Sequence, residues 1–342
     1  MNRSGAWLGR LSDPAGPNLL WSPAPFDRPA EIMALVDLAG LHNVCPALVR
    51  NLAVQLRQQP DSLLGAGVAR RHDEIASLLA QADDLRLAGI ARAILLADVA
   101  RTILSRLEKA GVPAVLVKGL DFAEKAYGGL GARTFSDIDL LVRRNAEEEL
   151  GAVLRELGFR PQPVPERHVG RTERPWIRRE DHGGAVLVEV HTDIVHAPEL
   201  RAGQSMTYDL YAGSDGNGPT AAARLVLAGL HGATSHLFGR LQYVVDGLMI
   251  ARMGVDAREL KERAHRCRAE LPVATMLRLA AEIYGCSVCA SLLDGLAPIP
   301  WRPLERRLIP ASMVLAAKNK HRWLFLPQRR VYRKLLQHSA AQ

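Results

Sequence analysis

The sequence predicts an α+β protein in which a small mixed β-sheet is flanked by N-terminal and C-terminal helical regions. Apolar residues recur at spacings of three and four in both outer parts of the chain, as in amphipathic helices. The middle part contains short apolar runs bounded by glycine, which are typical of strands. The 342 residues are 48% hydrophobic and 23% charged, which indicates a folded protein rather than a disordered one.

The N-terminal part divides into an arm and a helical region. Residues 1–28 are rich in glycine, proline and serine, and we expect a loose arm there. Residues 29–111 carry the helical pattern. The last helix of this region is predicted to end at Gly111, which is soon followed by Pro113.

Residues 112–200 are predicted to form the core that contains the sheet. The three predicted strands are "PAVLVKG", "DIDLLV" and "AVLVEVHTDIV". A short helix, "LDFAEKAYGGLGA", follows the first strand, and "NAEEELGAVLRELGF" follows the second, with Asn145 as its N-cap and Gly158 as its stop. The segment "PQPVPERHVGRTERPWIRREDHGG" is interpreted as a connection. Elements that alternate over this length indicate a small mixed sheet with helices packed on it.

Residues 220–342 are predicted to be all-helical and to end in a basic region. From residue 302 to residue 334, ten lysine and arginine residues stand against Glu305 alone, whereas the whole chain has a net charge of +8. Aromatic residues are interleaved with these charges, namely Trp301, Trp323, Phe325 and Tyr332. Such a region can bind RNA through phosphates and stacked bases, or it can be a solvated basic surface.

Two sequence features bear on compartment. No segment approaches the roughly 18 uninterrupted apolar residues that a membrane span requires, and the N-terminus has no apolar stretch of the signal-peptide kind. We therefore expect a cytoplasmic protein with no membrane span. Four cysteines are too few for a disulfide framework. Cys286 and Cys289 have the spacing of redox and zinc sites, but no second ligand pair accompanies them, so we interpret both as buried small residues.

The segment "ARTFSDIDLLV" places two carboxylates at the mouth of an apolar strand. Side chains two residues apart point to the same side of a strand, so Asp137 and Asp139 project together while Ile138 and Leu140 face a core. Two neighbouring carboxylates repel each other unless a cation or a proton lies between them. Mg²⁺ is the expected cation because it prefers oxygen ligands and substrate phosphates. The alternative is that both residues form surface salt bridges or cap a turn.

A further acid interrupts the predicted strand "VLVEVH". Glu189 lies in this apolar run, and His191 follows two residues later on the same face. Burial of an unpaired carboxylate costs several kcal/mol, so Glu189 requires a partner. If this strand lies beside the one that carries Asp137 and Asp139, three carboxylates converge. A salt bridge in the core is the alternative for Glu189.

The segment "VLVKGL" has the features of a phosphate site. A strand that ends in glycine lets a phosphate approach backbone N–H groups at the start of the next helix. Gly119 provides this turn, and Lys118 adds a mobile cation beside it. Arg133 lies four residues before Asp137, close enough in sequence to reach the same phosphates. Lysine-glycine pairs are common, so exposed surface is the alternative for Lys118 and for Arg133.

Together these segments resemble the nucleotidyltransferase superfamily of the DNA polymerase β type, and especially a branch of largely uncharacterised bacterial nucleotidyltransferases. Members of that branch have K-G, a tyrosine, R-x-x-x-D-I-D-L-L-V and later an acid-x-His strand. The corresponding positions here are Lys118, Gly119, Tyr127, Arg133, the segment "DIDLLV", Glu189 and His191. The clearest part of the resemblance covers residues 114 to 191.

The resemblance implies a polymerase β-like core that transfers a nucleoside monophosphate from an NTP, with ATP expected, to an acceptor and releases pyrophosphate. Asp137 and Asp139 would hold two Mg²⁺ ions, with Mn²⁺ as the alternative, and Glu189 would complete the metal site and help to deprotonate the acceptor. The expected nucleotide- and substrate-binding residues are Lys118, Gly119, Arg133, Ser136, His191, His231, His236 and Arg240.

The resemblance extends more loosely into "RLVLAGLHGATSHLFGRLQYVVDGL", where the branch also tends to carry two histidines and an aspartate. His231 and His236 are five residues apart, which does not place them on one face of an α-helix. We therefore favour a substrate-pocket or structural role for them over a metal site. Leu120 departs from the superfamily pattern, in which a small residue continues the glycine turn.

Two other functions are compatible with these features. A toxin-like transferase that modifies RNA would suit the basic C-terminal end. A non-catalytic nucleotide- or RNA-binding module would suit Leu120, although the intact pair of aspartates argues against loss of activity. The acceptor, whether a small molecule, a peptide or a protein, is not identified by the sequence.

Overall fold

The computed structural model describes residues 3–16, 29–57, 69–163, 170–180, 184–213, 218–296, 302–316 and 326–339. Within these ranges a five-stranded mixed sheet is surrounded by helices, in agreement with the predicted α+β class. The strands are β1 Ala114–Leu116, β2 Ile138–Val142, β3 Arg160–Pro161, β4 Glu173–Arg179 and β5 Ala185–His191. Their order across the sheet is β1-β2-β5-β4-β3, with β2 and β5 parallel and the other neighbours antiparallel.

Helices make up most of the described chain. Before the sheet and within it, the helices are α1 Arg3–Leu11, α2 Pro29–Leu41, α3 Cys45–Arg57, α4 Ala69–Lys109, α5 Gly119–Lys125 and α6 Glu147–Glu156. After the sheet, they are α7 Pro198–Arg201, α8 Tyr208–Ala212, α9 Ala221–Leu230, α10 Gln242–Ala251, α11 Ala257–Arg266, α12 Glu270–Tyr284, α13 Ser287–Gly295, α14 Arg302–Leu308, α15 Ala311–Val314 and α16 Leu326–Ser339.

The two faces of the sheet pack against different helices. On one face, Ile138, Leu140 and Val142 join a buried cluster with side chains of α4 and α6. On the other face, Leu141 joins a larger cluster formed with α1 to α3 and the helices that follow the sheet. Asp139 has the parity of Leu141, because alternate residues of a strand share a face. The strand therefore buries its apolar side and directs its carboxylate toward the helical regions.

The N-terminal segment differs from the predicted loose arm. Residues 3–11 form α1, in which Leu8 and Leu11 are completely buried in the larger cluster. The carboxylate of Asp13 accepts two hydrogen bonds from Arg252, at 2.6 and 2.8 Å. The prediction is therefore wrong for residues 3–16, because apolar contacts fix a segment whose glycine and proline content suggested a loop. Residues 17–28 lie outside the described residues.

The segment interpreted as a connection contains two strands, β3 and β4. Pro175 within "ERPWIRR" favoured a loop, since proline removes a ladder hydrogen bond. In the structure β4 pairs with β5 over seven positions, from Glu173 opposite His191 to Arg179 opposite Ala185. Trp176, which is almost fully buried in the cluster beneath the sheet, holds the strand in place. The interpretation of this segment as a simple connection is therefore wrong.

Helix ends agree with the sequence in part. Helix α4 ends at Lys109, and Gly111 follows with a left-handed φ of +68°. Gly158 likewise follows α6 with φ of +84°. Asn145 is not the N-cap of α6, because residues 144–146 form a 3₁₀ turn and the helix begins at Glu147 without a side-chain cap.

Two further expectations concern the C-terminal half. Cys286 and Cys289 are both buried, and Cys286 caps the start of α13 by accepting a hydrogen bond from the Cys289 backbone N–H, as suits small core residues. Among the described residues, no helix combines the length and the apolar character that crossing a bilayer requires.

Candidate active site

The acidic residues of β2 and β5 lie side by side in the sheet. The two strands are parallel, and their register places Asp139 directly opposite Glu189. Asp137 lies immediately before β2 and lines the same cavity as these two carboxylates. The three acids therefore converge, as the sequence predicted for the case in which the two strands are neighbours.

A cavity of about 380 Å³ opens above these acids, between the sheet and the helical regions. Ten of the eleven predicted site residues line it, namely Lys118, Gly119, Arg133, Ser136, Asp137, Asp139, Glu189, His231, His236 and Arg240. His191 is completely buried and does not line the cavity, but its Nε2 lies 2.9 Å from Asp139 Oδ1. The structure thus brings together side chains that lie up to 122 residues apart in the sequence.

The acids differ in their affinity for protons. Burial and the neighbouring charge of Asp139 raise the pKa of Asp137 to about 6. Burial and the same neighbouring charge also raise the pKa of Glu189. The pKa of Asp139 is lowered because Lys118 and His191 together outweigh the effect of its burial. The cluster therefore contains one carboxylate that stays ionised and two that bind a proton readily. Additional positive charge would stabilise such a cluster.

Lys118 is not the mobile cation that the sequence predicted. It is almost fully buried, its Nζ lies 2.5 Å from Asp139 Oδ1, and the same nitrogen lies 3.3 Å from His191 Nε2. Although burial lowers its pKa, the charges of Asp139 and Glu189 raise it above the ordinary value, so the ammonium is charged. Its backbone has φ of +54° and ψ of −123°, a conformation that is strained for a residue with a Cβ.

The donor set suits a divalent cation. Ligand atoms of Asp139, Glu189 and His191 lie within 4.8 Å of one another. Carboxylate oxygens are the preferred ligands of Mg²⁺ and Mn²⁺, and a protonatable acidic cluster gains from such an ion. Glu173, His191 and His196 form a second group within the same distance. Nδ1 of His191 is buried and has no hydrogen-bond partner in the described part of the chain.

Arg133 is held by an acid from a distant helix. Its Nε and Nη2 donate to the two carboxylate oxygens of Asp246 at 2.7 and 2.8 Å, and both side chains are almost fully buried. Tyr127 and Gln242 donate to Asp246 Oδ1 as well. The guanidinium thus has a fixed position at the wall of the cavity, and it is not the exposed surface group that the sequence left as the alternative.

Gly119 and Leu120 separate the cavity from the core. A Cβ on Gly119 would lie 3.1 Å from Phe135 Cβ and 3.7 Å from Arg133 Nη1, so glycine keeps the backbone close to the cavity wall. Leu120 is 2% exposed and packs in the cluster with α4 and α6. Its departure from the superfamily pattern therefore directs a side chain into the core and not toward a nucleotide.

The two histidines of the C-terminal half meet at the cavity although they are five residues apart. Residues 231–235 form a π-helical turn, and the ring centroids of His231 and His236 lie 4.7 Å apart. A π-helix has more residues per turn than an α-helix, so side chains at this spacing come close together. The His236 ring also stacks on Tyr243, with centroids 4.4 Å apart and planes within 10°. Burial lowers the pKa of His231 well below its usual range, so this ring is neutral.

Sequence reasoning missed several residues of the cavity. Glu173 and Arg171 come from β4 and the residues before it, which were interpreted as a connection, and His196 and Tyr243 were not singled out. Arg333 lines the cavity from α16 and pairs with Glu199 at 2.5 Å. The pairing of Glu173 with His191 across the sheet depends on recognising β4, whose sequence signal is the short apolar pair of Trp176 and Ile177.

Comparison with protein families decides the broad class. Residues 29–285 match the family described as "Uncharacterised nucleotidyltransferase", which is about three quarters of the chain. The chain belongs to this nucleotidyltransferase family. Family membership supports nucleotidyl transfer as the general activity and a nucleotide as a substrate, and every cavity residue except Arg333 lies within the matched range. No curated protein shows significant similarity to the chain.

Proposed function

We propose that the protein transfers a nucleoside monophosphate from ATP to an acceptor hydroxyl, with release of pyrophosphate and with Mg²⁺ or Mn²⁺ as the metal. The observation that carries the proposal is the pairing of Asp139 with Glu189 across two parallel strands, with Asp137 at the mouth of the same cavity. Buried acids that gather at one cavity and shift each other's pKa are typical of functional sites.

Asp137, Asp139 and Glu189 would hold the divalent cations. When bound, these ions supply positive charge that neutralises the triphosphate and stabilises the charge that develops on the transferred phosphoryl group. Asp137 and Glu189 suit this role because each exchanges a proton readily, so that a bound cation can take the place of the proton.

The chain's own groups then position the reactants. The acceptor oxygen forms a bond to the α-phosphorus as the bond from that phosphorus to the bridging oxygen breaks, and pyrophosphate leaves. The proton of the acceptor hydroxyl passes to the carboxylate of Glu189, whose raised pKa favours its acceptance. Arg133, fixed by Asp246, and the backbone at Gly119 orient the triphosphate. Lys118 joins them once its ammonium separates from Asp139.

The stacked pair of His236 and Tyr243 would serve as the platform for the base of the nucleotide. The two rings are parallel and border the cavity, and flat rings bind bases by stacking. Asn43 borders the same cavity, and its amide group can make a hydrogen bond to a base edge.

The test is release of pyrophosphate from α-labelled ATP with Mg²⁺ and candidate acceptors. Asp139→Asn is expected to slow turnover by on the order of 10³-fold, because loss of a metal ligand removes several kcal/mol of transition-state stabilisation. Asp98→Asn makes the same chemical change at an exposed position on α4 and should leave the rate unchanged. ATP binding without pyrophosphate release in any acceptor mixture would instead indicate a non-catalytic module.

The RNA-modifying alternative has less support from the basic C-terminal end. Tyr332 is completely buried, and its hydroxyl lies 2.8 Å from Thr275 Oγ1, so it is not available to stack on a base. Glu305 is buried and paired with Arg278, which ties α14 to α12. Trp301, Trp323 and Phe325 lie outside the described residues. Label found on RNA in the same assay would favour the alternative.

A further inference from the structure

A second cavity, of about 290 Å³, adjoins the first and carries an excess of positive charge. Four arginines line it, namely Arg144, Arg171, Arg174 and Arg201, and Glu147 is the one acid among its lining residues in the described part of the chain. Glu147 lies 3.4 Å from Arg174 Nε, so it compensates one arginine and leaves three positive charges. Arginine clusters of this kind bind phosphate groups, because each guanidinium offers a planar set of donors.

We propose that this second cavity, the arginine cavity, binds a phosphate group of the acceptor, so that the acceptor is a phosphorylated small molecule. The inference rests on the proposed nucleotidyl transfer and names the class of molecule that receives the nucleotide.

Two of the arginines have donors to spare. Arg144 and Arg171 make no side-chain hydrogen bond or ion pair with the other described residues, and Arg144 is exposed whereas Arg171 is half-buried. Arg201, by contrast, donates to the backbone oxygen of Gly170. A phosphate in the cavity would therefore meet guanidinium groups that need not give up an internal partner.

Arg171 lines both the arginine cavity and the first cavity, which Asp137, Asp139 and Glu189 line and which we call the acidic cavity, so the two are neighbours at this residue. The residues after Arg171 alternate between the two, since Thr172 and Arg174 line the arginine cavity and Glu173 lines the acidic one. Alternate residues of a strand point to opposite sides, so the start of β4 forms the partition. A molecule with its phosphate in the arginine cavity would have to pass around Arg171, which borders both cavities, to reach the carboxylate of Glu189.

The lining of the arginine cavity favours a compact phosphate ester over a nucleic acid strand. Its described lining residues include no aromatic side chain, whereas proteins that bind single strands place aromatic rings along a basic groove. The cavity has a volume of about 290 Å³, which suits a single phosphate group better than a chain of phosphates. A single phosphate group satisfies these features.

The test is titration of the full-length protein with inorganic phosphate at low ionic strength, followed by calorimetry. The double variant Arg144→Ala/Arg174→Ala removes two arginines that line only this cavity, and it should weaken phosphate binding by about tenfold or more. The control Arg258→Ala removes an exposed arginine of α11 that pairs with Glu262, and it should bind phosphate as the wild type does. Unchanged binding by the double variant would overturn the proposal.

Further arms identify the source of the phosphate. The double variant should keep the wild-type affinity for a non-hydrolysable Mg·ATP analogue, and a tenfold loss there would mean that these arginines bind the triphosphate, which would overturn the proposal. Binding of a short single-stranded RNA that depends on the same arginines and exceeds phosphate binding would also overturn it, in favour of a nucleic acid acceptor.

One variant separates this inference from the proposed function. Asp139→Asn should lose pyrophosphate release and yet bind phosphate as the wild type does, because Asp139 lies outside the arginine cavity. If Asp139→Asn loses phosphate binding, the ion sits among the acidic residues and the inference fails. If every protein binds phosphate as expected but none releases pyrophosphate, the arginine cavity stands as an anion site and the transferase proposal is what fails.

Discussion

Arg133 and Asp246 form a buried bidentate ion pair that joins the loop before β2 to helix α10. Their two contacts measure 2.7 and 2.8 Å, and the side chains are 8% and 3% exposed. The pair fixes a cation at the cavity wall and ties the sheet to the C-terminal helices. The positions of Asp137 and Asp139 thus depend on packing that lies more than 100 residues further along the chain.

Loss of this pair should destabilise the protein strongly. Asp246→Asn is expected to lower the free energy of unfolding by about 3 kcal/mol, because it leaves a buried guanidinium without its counter-charge. Glu262→Gln at the exposed pair with Arg258 should change it by less than about 0.5 kcal/mol. Urea unfolding measures both values, and equal effects of the two changes would contradict the role assigned to Asp246.

The backbone at Lys118 should be under strain. Lys118→Ala and Lys118→Gly both remove the ammonium, but only glycine adopts φ of +54° and ψ of −123° without a steric penalty. The glycine variant should therefore be about 1 kcal/mol more stable than the alanine variant in urea unfolding, after allowance for the greater freedom of unfolded glycine. An alanine variant of equal or higher stability would show that the turn relaxes.

The turn that brings the histidines together should tolerate no side chain at Gly232. A Cβ there would lie 2.7 Å from Cε1 of the buried Phe238, so Gly232→Ala should destabilise the protein by about 2 kcal/mol. Gly89→Ala on the exposed face of α4 meets no atom within 4 Å and should be stabilising by about 0.5 kcal/mol. Thermal unfolding of the two variants checks the contrast, and a neutral Gly232→Ala would contradict the packing.

Metal binding should release protons. Asp137, with a pKa of about 6, is partly protonated near pH 6, and Glu189, whose pKa is raised further, is mostly protonated there. A divalent cation displaces those protons. The affinity for Mn²⁺ should therefore increase as the pH rises from about 5.5 to 8. Calorimetry at pH 6 in buffers of different ionisation enthalpy counts the protons released, and Asp137→Asn should lower that number. A value of zero for the wild type would exclude these acids as ligands.

Much of the core could be predicted because its signals are local. Three signals depend only on neighbours in the sequence, namely the alternation that places Asp137 and Asp139 on one side of a strand, the glycine at Gly119 and the acid within "VLVEVH". Each identified a residue that lines or contacts the acidic cavity. The adjacency of β2 and β5 was the one long-range condition required, and the register of Asp139 with Glu189 satisfies it.

The rest depends on tertiary packing. Strand β4 contains a proline, and it forms because Trp176 is buried and because β5 offers a full ladder. His231 and His236 come together because residues 231–235 form a π-helical turn. Residues five apart lie on different faces of an α-helix, so α-helical spacing did not predict this contact. Arg133 and Lys118 have acidic partners that short motifs do not reveal, since one partner is 113 residues away and the other is a predicted metal ligand.

The location of the metal tests the central claim most directly. Crystals of the wild type grown with Mn²⁺ and a non-hydrolysable ATP analogue should show anomalous density for manganese coordinated by the carboxylates of Asp139 and Glu189, with Lys118 displaced from Asp139. Asp139→Asn crystals should lose that density. Manganese bound only by Glu173 and His196, or absent at saturating concentration while Lys118 stays on Asp139, would contradict the proposed site.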